Sequence, residues 1–344
     1  MSYYGVDFHK LYSFIAEVDE KGKTIKEQTI RNSRESLEVF AKSLEPGSKL
    51  AVEAVGNWYY FHELLEEMPV EVNLSHPKKT KAIASAKVKT DKIDAGVLAN
   101  LLRMDYLPLA YIPPKEIRDL REVVRFRAGL VGLRTLVKNR VRAILLKNGV
   151  LIKSVFSQAG RKQVLDLCLR ECFNEELEAY YRVIDHLEEE ITRVSKKIQV
   201  LALNTQEVRL LMTMPGIGYY TALLLYAEIG EIERFERAGQ LCSYAGLVPS
   251  VHSSGGRTRY GRITKEGSRW IRWALVEVAH HIARGSVRFA ALYERVEKKH
   301  GKSAAKIAVA REAIRVIFRM LKDKEPFRGS IKEKTIPPAI SLGT

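Results

Sequence analysis

The feature that most constrains the fold is the order of apolar runs and helical patterns over residues 1–112. Three short apolar runs come first, and helical and strand patterns alternate after them. The strands are predicted at residues 3–7, 11–18, 25–30 and 69–74 and in a run that ends at Glu53, and the helices at 34–44, from near Asn57, at 77–86 and at 90–104. This order predicts an α/β domain in which β-α-β units extend a three-stranded meander.

Four carboxylates stand at the ends of these elements. Asp7 closes the first strand and Glu53 closes the fourth. Asp91 and Asp94 are three residues apart at the start of the last helix, so they share one face of it. The element order is that of an RNase H-like fold, in which the acids of the first and fourth strands meet near the sheet centre. The four carboxylates are therefore predicted to lie close together.

A group of carboxylates gathered in this way suits divalent metal ions. Mg²⁺ prefers oxygen ligands, and a pair of ions stabilises both the attacking and the leaving oxygen of a phosphoryl transfer. Two simpler interpretations stay open: Asp91 and Asp94 favour a helix N-terminus through its dipole, and Glu53 is a surface acid. The positions of all four acids in one fold favour a Mg²⁺ site made by Asp7, Glu53, Asp91 and Asp94, and chemistry on a nucleic-acid backbone.

The charge of the chain points to a polyanionic partner. Its 344 residues include 57 Lys and Arg against 41 Asp and Glu, a net charge of +16, and nucleic acid is the usual partner of such an excess. No run approaches 18 apolar residues and no signal segment opens the chain, so no membrane partner is predicted. The three cysteines predict neither a disulfide framework nor a zinc site, and Cys168 and Cys172 are predicted to share a buried helix face.

Lysines are dense on either side of the Asp91 and Asp94 pair. A solvated surface is the ordinary interpretation of a lysine run, but beside a metal site the same charges suit an RNA or DNA backbone. The predicted nucleic-acid contacts in this part of the chain are Lys78, Lys79, Lys87 and Lys89.

Residues 113–205 carry two long helical patterns. The polar side of the first is basic, since residues 121–147 hold eight Lys or Arg and one Glu. Its apolar stripe is Val123, Phe126, Leu130, Leu133, Val137, Val141 and Ile144, and that of the second helix is Leu177, Tyr180, Ile184, Leu187, Ile191, Val194, Ile198 and Leu201. The second stripe alternates steps of three and four and predicts a coiled coil. Two antiparallel helices of one subunit and a dimer both fit this pattern.

Residues 206–328 are predicted to be mainly helical. Residues 214–218, Met-Pro-Gly-Ile-Gly, separate two helical patterns in the manner of a helix-hairpin-helix motif. Gly216 and Gly218 would let the backbone approach a phosphate, and amides at the second helix N-terminus would bind it. A plain αα-hairpin that binds no ligand is the alternative. The tail, residues 329–344, is predicted to be flexible.

A glycine-rich basic segment follows Pro249 and is predicted to form a pliable loop. Ser253 and Ser254 precede Gly255-Gly256, and residues 257–272 contain six Lys or Arg and one Glu. The predicted phosphate contacts are Arg257, Arg259, Arg262 and Lys265. A phosphate-binding loop without chemistry and a simple turn are alternatives to a site with a nucleophilic serine.

These motifs together resemble those of the IS110/IS116/IS902 family of transposases. The likeness covers the chain except the tail and rests on several ordered segments. They are residues 5–10 (GVDFHK), 52–54 (VEA), 89–95 (KTDKIDA), 214–218 (MPGIG), 244–249 (YAGLVP) and 254–267 (SGGRTRYGRITKEG), with the helix that begins at 267–273 (GSRWIRW). Several motifs in matching order are a specific signal, unlike any one of them alone.

The resemblance implies a RuvC-like domain over 1–112, a coiled-coil linker over 113–205 and a transposase domain over 206–328. It implies that Asp7, Glu53, Asp91 and Asp94 form a D-E-D-D tetrad that holds Mg²⁺, and that a serine attacks DNA. Ser254 fits the Ser-Gly pattern better than Ser253. It further implies donor and target DNA as substrates, a structured bridge RNA as guide, and a dimer or tetramer assembled on nucleic acid. A cytoplasmic protein at a bacterial or archaeal nucleoid is expected.

Two other functions stay open at this point. The first is a Holliday-junction nuclease in which the tetrad activates water and Ser254 only contacts phosphate. The second is a non-catalytic assembly protein that binds nucleic acid. The nuclease would leave hydrolysed ends without a protein–DNA adduct, and the assembly protein would bind without cleaving.

Overall fold

The computed structural model describes residues 1–54, 56, 58–84 and 90–329. It divides the chain into two compact units, Met1–Ile112 and a second unit that begins at Pro113. The predictions for Asn57, Lys87, Lys89 and the tail from residue 330 fall outside the described residues. Within the described part, no helix has the length and hydropathy needed to span a membrane.

The first unit is a five-stranded mixed sheet with helices. The strand order is β3-β2-β1-β4-β5. β1 pairs antiparallel with β2, and β2 with β3, whereas β4 lies parallel to both β1 and β5. The elements are β1 (Tyr3–Phe8), β2 (Tyr12–Val18), β3 (Thr24–Arg31), α1 (Arg34–Ser43), β4 (Lys49–Glu53), α2 (Trp58–Leu65), β5 (Glu71–Ser75), α3 (Pro77–Ile83) and α4 (Asp91–Arg103). The predicted α/β architecture of this region is confirmed.

The two faces of the sheet bury different helices, because side chains alternate along each strand. Val6 of β1 and Val52 of β4 pack with the side chains of Leu37 and Phe61, from α1 and α2. Ala51 of β4 packs on the opposite face with leucines of α4. Asp7 and Glu53 are each one residue beyond a valine of the first face, so they project toward the α4 side.

The second unit is mainly helical, as predicted. Its long helices are α5 and α7 in the first part and α11 and α12 in the second. The elements are α5 (Lys115–Lys147), α6 (Gln158–Leu165), α7 (Glu171–Asn204), α8 (Gln206–Met212), α9 (Tyr219–Ile229), α10 (Ala238–Tyr244), β6 (Pro249–Ser254), β7 (Arg257–Ile263), α11 (Arg269–Gly285) and α12 (Val287–Asp323).

The helices α5 and α7 pack against each other within the chain in antiparallel directions. Lys138 of α5 binds Glu188 of α7 at 2.9 Å, while Arg127, earlier in α5, donates to Ser195, later in α7, at 2.8 Å. The predicted heptad face of α7 is buried except at two positions, where Tyr181 and Ala202 are buried and the predicted Tyr180 and Leu201 are half-buried. The structure thus contains the intrachain pairing, and a coiled coil between subunits stays a prediction.

Two details of the helical predictions are wrong. Phe126 and Leu133 were placed on the buried stripe of α5, but they are 52% and 54% exposed. Val124 is buried instead, and its main-chain carbonyl accepts a hydrogen bond from Tyr220 of α9. Cys168 and Cys172 are both exposed, because Cys168 precedes α7 and Cys172 lies on the outer side of its first turn.

A buried carboxylate joins three helices of the second unit. Glu228 of α9 is 2% exposed and accepts hydrogen bonds from Arg125 Nε at 2.7 Å and from Ser268 Oγ at 3.0 Å. Ser268 is also the N-cap of α11, since its hydroxyl accepts from the Ile271 amide. Arg121 donates to the main-chain carbonyls of Ala227 and Glu228 at the end of α9. A buried charge is tolerated because it is paired in this way.

Candidate functional site

The ends of two parallel strands position Asp7 and Glu53. β1 and β4 pair in register as far as Val6 and Val52, and the next residues along the strands are Asp7 and Glu53. Because the strands are parallel, both acids lie at the same edge of the sheet. They share the face that α4 covers.

A glycine allows α4 to approach that face closely. A Cβ on Gly5 would lie 1.9 Å from the carbonyl oxygen of Ala95 and 2.6 Å from the amide of Ala99, so no other residue fits there without a shift. Gly5 precedes Asp7 by two residues on the same strand face. The Thr90 side chain caps α4 by accepting from the Ile93 amide. The first turn of α4, with Asp91 and Asp94, is thereby brought to the edge where β1 ends.

Three of the four predicted acids line one cavity of about 450 Å³. They are Asp7, Glu53 and Asp94, which come from β1, β4 and α4. The lining also includes the polar residues Ser75, Thr80, Lys78 and Lys81, and its remainder is apolar: Pro77, Ala84, Val97 and Leu98. Ser75 and Thr80 share a hydrogen bond of 2.7 Å between their hydroxyls. The cavity thus combines oxygen donors with positive charge, as a site for a metal ion and a phosphate requires.

Asp91 lies beside Asp7 in a second group that includes His9. His9 Nε2 is 3.2 Å from Asp7 Oδ2 and 3.3 Å from Asp91 Oδ2. One ligand atom from each of the three residues lies within 4.8 Å of the others. Tyr12 donates its hydroxyl to Asp91 Oδ2 at 3.0 Å, and this hydrogen bond is the main cause of the raised pKa of Tyr12. Asp7 therefore belongs to both groups.

This arrangement fits the requirements of a metal centre. Carboxylate oxygens are the ligands that Mg²⁺ prefers, and Asp7 is shared by the group that lines the cavity and the group with His9 and Asp91. Asp7 is also the least exposed of the group that contains His9, with 14% of its side chain accessible. The side chains present are therefore able to hold divalent ions.

His9 and Tyr12 were not among the site residues predicted from the sequence. A signal existed for His9, because it follows Asp7 by two residues and so continues the same side of the strand. The signal for Tyr12 required the pairing of β1 with β2, which brings the ring of Tyr12 to 4.9 Å from that of His9. Both residues enter the site through the turn between these strands.

The described lysines of α3 have different positions. Lys78 lines the cavity with the acids, and Lys81, which was not among the predicted contacts, lines it as well. Lys79 is exposed but does not line the cavity. The α3 helix therefore directs part of its positive charge to the acid site, and a contact of Lys78 or Lys79 with nucleic acid stays a prediction.

The segment predicted to be a pliable loop forms a two-stranded antiparallel ribbon, β6 and β7. Ser254 pairs with Arg257, and the two residues between them are Gly255 and Gly256, with φ of +56° and +77°. Two consecutive residues with positive φ are what a two-residue type I′ hairpin turn requires, and glycine adopts them without a Cβ penalty. The glycines thus make a tight turn.

The ribbon has two faces of different chemistry. Residues directly opposite each other share a face of a two-stranded sheet, and faces alternate along each strand. One face carries Val251 opposite Tyr260 and Ser253 opposite Thr258, with the two hydroxyls 3.4 Å apart. The other carries the pairs His252 with Arg259 and Ser254 with Arg257. Ser254, and not Ser253, therefore shares its face with the arginines.

The turn at residues 213–218 joins α8 to α9, and its two glycines differ. Gly216 has φ of +84°, and a Cβ there would lie 2.7 Å from the amide of Ile282, so it packs against α11. Gly218 caps α9, and a Cβ there would meet open space. The structure thus explains Gly216 by packing within the unit. Phosphate binding by either amide stays a prediction, as does that by Arg262 and Lys265, which are exposed after the ribbon turn.

Two family models match the chain. A transposase model for the DEDD type of IS110 elements matches residues 4–148. A model described as the transposase IS116/IS110/IS902 family matches residues 208–294. The first match spans the four acids and His9, and the second spans the ribbon with Ser254.

Curated bacterial proteins are similar over most of the chain. The transposase for insertion sequence element IS1111A of Coxiella burnetii is 25% identical over 333 residues, which cover 94% of this chain and 90% of that protein. A probable family 20 transposase of Pseudomonas aeruginosa is 27% identical, with 83% and 85% covered. The transposase for IS1328 of Yersinia enterocolitica is 23% identical, with 80% and 82% covered.

Proposed function

The chain belongs to the IS116/IS110/IS902 family of insertion-sequence transposases, which are enzymes that cut and transfer DNA strands, and from this premise we propose how its residues do so. The proposed enzyme is an RNA-guided DNA recombinase that uses Ser254 as nucleophile and the acid site as a metal centre. The observation that carries the proposal is the convergence of Asp7, Glu53 and Asp94 on one cavity, with Asp91 joined to Asp7.

In this proposal Asp7, Glu53, Asp91 and Asp94 would hold Mg²⁺ near the scissile phosphate. The bound ions would supply charge stabilisation for the phosphoryl oxygens. Lys78 and Lys81, which line the same cavity as Asp7, would attract the phosphate backbone. The paired β1 and β4 ends and the Gly5 contact keep the acids in place while DNA enters.

Ser254 is proposed as the nucleophile because it shares a ribbon face with cationic side chains. Its Oγ forms a bond to the phosphorus, and the bond from phosphorus to the 3′ oxygen breaks. The serine gives up its proton, and the leaving oxygen takes one up as a 3′ hydroxyl. Arg257 and Arg259 offset the charge that develops on the phosphoryl oxygens. A 3′ hydroxyl from another strand then attacks the phosphoserine, which releases Ser254 and reseals the backbone.

The proposed partners are donor DNA, target DNA and a structured bridge RNA that selects both sites by base pairing. The basic side of α5 and the arginines of the ribbon suit the backbones of these nucleic acids. Strand exchange joins two DNA duplexes and needs at least two active sites, so we expect a dimer or tetramer assembled on nucleic acid. Since its substrate is DNA, the enzyme is expected to act at the nucleoid in the cytoplasm.

The test uses purified protein, RNA transcribed from the sequence flanking its gene, Mg²⁺, and labelled donor and target DNA. A denaturing gel is expected to show a protein–DNA adduct that Ser254→Ala abolishes and Ser253→Ala retains. Asp7→Asn is expected to lower adduct formation by about 1000-fold or more, since metal-supplied charge stabilisation amounts to several kcal/mol. Asp119→Asn, an exposed aspartate of α5, is the matched control.

Two outcomes would contradict the proposed roles of Ser254 and of the four acids. Strand cleavage without an adduct that survives Ser254→Ala would mean that water, and not the serine, is the nucleophile. Binding without cleavage, unaffected by Asp7→Asn, would mean that the acids are not catalytic. Omitting the RNA tests the guide separately, because sequence-specific adducts formed without it would contradict guidance.

A further inference from the structure

His9 follows the first strand and directs its ring nitrogen between two of the four carboxylates. Nε2 is 3.2 Å from Asp7 Oδ2 and 3.3 Å from Asp91 Oδ2. The proposed function does not use this imidazole. We propose, building on that function, that His9 is itself a ligand to one of the metal ions and makes that position prefer Mn²⁺ to Mg²⁺.

The distances agree with adjacent positions in one coordination shell. Neighbouring ligands of an octahedral ion with bonds of about 2.1 Å are about 3.0 Å apart. The two distances from Nε2 exceed this separation by a few tenths of an ångström. The side chains of His9 and Asp91 are 38% and 41% exposed, so both have room for the small rotation that an ion would require.

The two positions that share Asp7 differ in their donor atoms. On the cavity side the described lining residues offer carboxylate and hydroxyl oxygens, from Glu53, Asp94, Ser75 and Thr80, and include no histidine. On the other side Asp91 is joined by the imidazole nitrogen of His9. Mg²⁺ prefers oxygen, whereas imidazole suits first-row transition metals, among which Mn²⁺ also accepts carboxylate and water. The nitrogen therefore distinguishes the position of Asp91 from that of Glu53.

Hydrogen bonds hold the main chain of His9 and the neighbouring Asp91 carboxylate in place. The carbonyl of His9 accepts from Asn32 Nδ2 at 2.8 Å, and Asn32 Oδ1 accepts from Ser13 Oγ at 2.7 Å. Tyr12 packs its ring beside that of His9 and donates its hydroxyl to Asp91. Metal-binding groups are commonly fixed by hydrogen bonds of this kind, which orient the ligand atoms. His9 is thus positioned by three strands of the sheet.

The experiment measures metal binding by the full-length protein without nucleic acid. Mn²⁺ and Mg²⁺ are titrated separately by calorimetry, and pulsed electron paramagnetic resonance of the Mn²⁺-loaded protein detects a bound ¹⁴N. We expect a ¹⁴N signal in the wild type that His9→Ala abolishes. We also expect His9→Ala to weaken Mn²⁺ binding by about tenfold or more and Mg²⁺ binding by less than about threefold.

Three variants make the result specific. His9→Gln supplies an amide oxygen of similar size, so it is expected to retain Mg²⁺ binding and lose the preference for Mn²⁺. His300→Ala removes an exposed histidine of α12 and is expected to leave both affinities and the ¹⁴N signal unchanged. Asp7→Asn removes the ligand common to both positions and is expected to weaken both ions. Thermal unfolding without metal verifies that each variant folds.

The outcomes separate this inference from the proposed function. If Asp7→Asn weakens binding while His9→Ala leaves the ¹⁴N signal and the Mn²⁺ affinity intact, His9 is not a ligand and the carboxylate centre stands. If Asp7→Asn leaves the binding of both ions unchanged, the metal centre itself is wrong, and the proposed function fails with it.

Discussion

The carboxylate site of the first unit and the serine ribbon of the second unit are built in opposite ways. Asp7 and Glu53 end strands with buried cores, and Gly5 brings α4 against the same face, so packed backbone holds the acids. On the ribbon, every side chain from Val251 to Arg262 is exposed. The carboxylate site is therefore held by packing within the first unit, whereas Ser254 is presented to solvent, where a nucleic-acid backbone is expected to cover it.

The largest effect is expected at Glu228, a buried residue at the point where the chain passes from the exposed ribbon into α11. Glu228→Ala removes the carboxylate that pairs with Arg125 and holds Ser268 at the start of α11. Loss of one partner of a buried pair is expected to lower the free energy of unfolding of the second unit by about 4 kcal/mol. Urea unfolding of the purified protein measures it, with the exposed Glu189→Gln as control. An effect equal to that of the control would mean that the start of α11 is held no more firmly than the exposed ribbon that precedes it.

The second largest effect is expected at Gly5, in the carboxylate site of the first unit. Gly5→Ala places a methyl group 1.9 Å from the Ala95 carbonyl oxygen, so α4 has to move from β1. Overpacking of this kind is expected to cost about 3 kcal/mol and to weaken metal binding, because Asp91 and Asp94 move with the helix. Urea unfolding and Mn²⁺ titration measure the two effects.

The matched control for that variant lies on α4 itself. A Cβ on Gly96 would meet open space, so Gly96→Ala is expected to be neutral or to stabilise the helix by up to about 1 kcal/mol. If Gly5→Ala proved as mild as Gly96→Ala, close packing of α4 on β1 would not be what positions the two aspartates.

A substitution in the turn of the ribbon is expected to affect the ribbon and not the rest of the second unit. Gly256 has φ of +77° with open space around its Cβ position, so Gly256→Ala costs only backbone strain, about 1–2 kcal/mol. We expect slower formation of the Ser254 adduct with little change in global unfolding, because the ribbon lies outside the core. Gly129→Ala, at an open helical position of α5, serves as control. A large loss of global stability would show that the ribbon is part of the cooperative core after all.

The smallest effect at neutral pH is expected at Tyr220, a half-buried residue that packs against the core of the second unit. Burial raises the pKa of Tyr220 to about 12, and its hydroxyl donates to the Val124 carbonyl. The folded state therefore keeps the proton between the ordinary tyrosine pKa of about 10 and pH 12, so its contribution to stability is complete below pH 10 and falls as pH rises to 12.

Tyr220→Phe tests that pH dependence. Loss of the hydrogen bond is expected to cost about 1 kcal/mol at pH 8, and the variant is expected to lose less stability than the wild type between pH 10 and 12. Urea unfolding at pH 8 and pH 11 compares them. An equal decline in both proteins would assign the alkaline loss to other groups.

The element order was predictable because it depends on local patterns. Strand and helix periodicities and the acids at element ends are readable over short windows, and the structure confirms the α/β sheet and the helical region after it. The ribbon was predicted as a loop because glycines and charges hide the alternation of β6 and β7. Phe126 and Leu133 were misplaced because a helical stripe does not reveal how wide a face the partner helix covers.

The residues next to Ser253 and Ser254 along the chain do not distinguish the two serines on physical grounds. Ser253 and Ser254 have the same neighbours along the chain, and the family pattern alone favoured Ser254. Pairing across the ribbon adds a physical reason, because it assigns Arg257 and Arg259 to the face of Ser254 and Thr258 to that of Ser253. The role of Ser254 as nucleophile stays a prediction that the adduct experiment tests.

The sequence by itself determined the residue types that make the chemistry possible: the four acids at element ends, the basic excess and the glycines of the ribbon turn. Only the tertiary structure decided that Asp7 belongs to two groups, that His9 and Tyr12 join Asp91, and that Gly5 admits α4. The physical reason is the separation along the chain of the residues that interact. Periodicity and capping act between residues a few positions apart, whereas the site is assembled from β1, β2, β4 and α4, whose side chains meet only after the sheet has paired and the helix has packed on it.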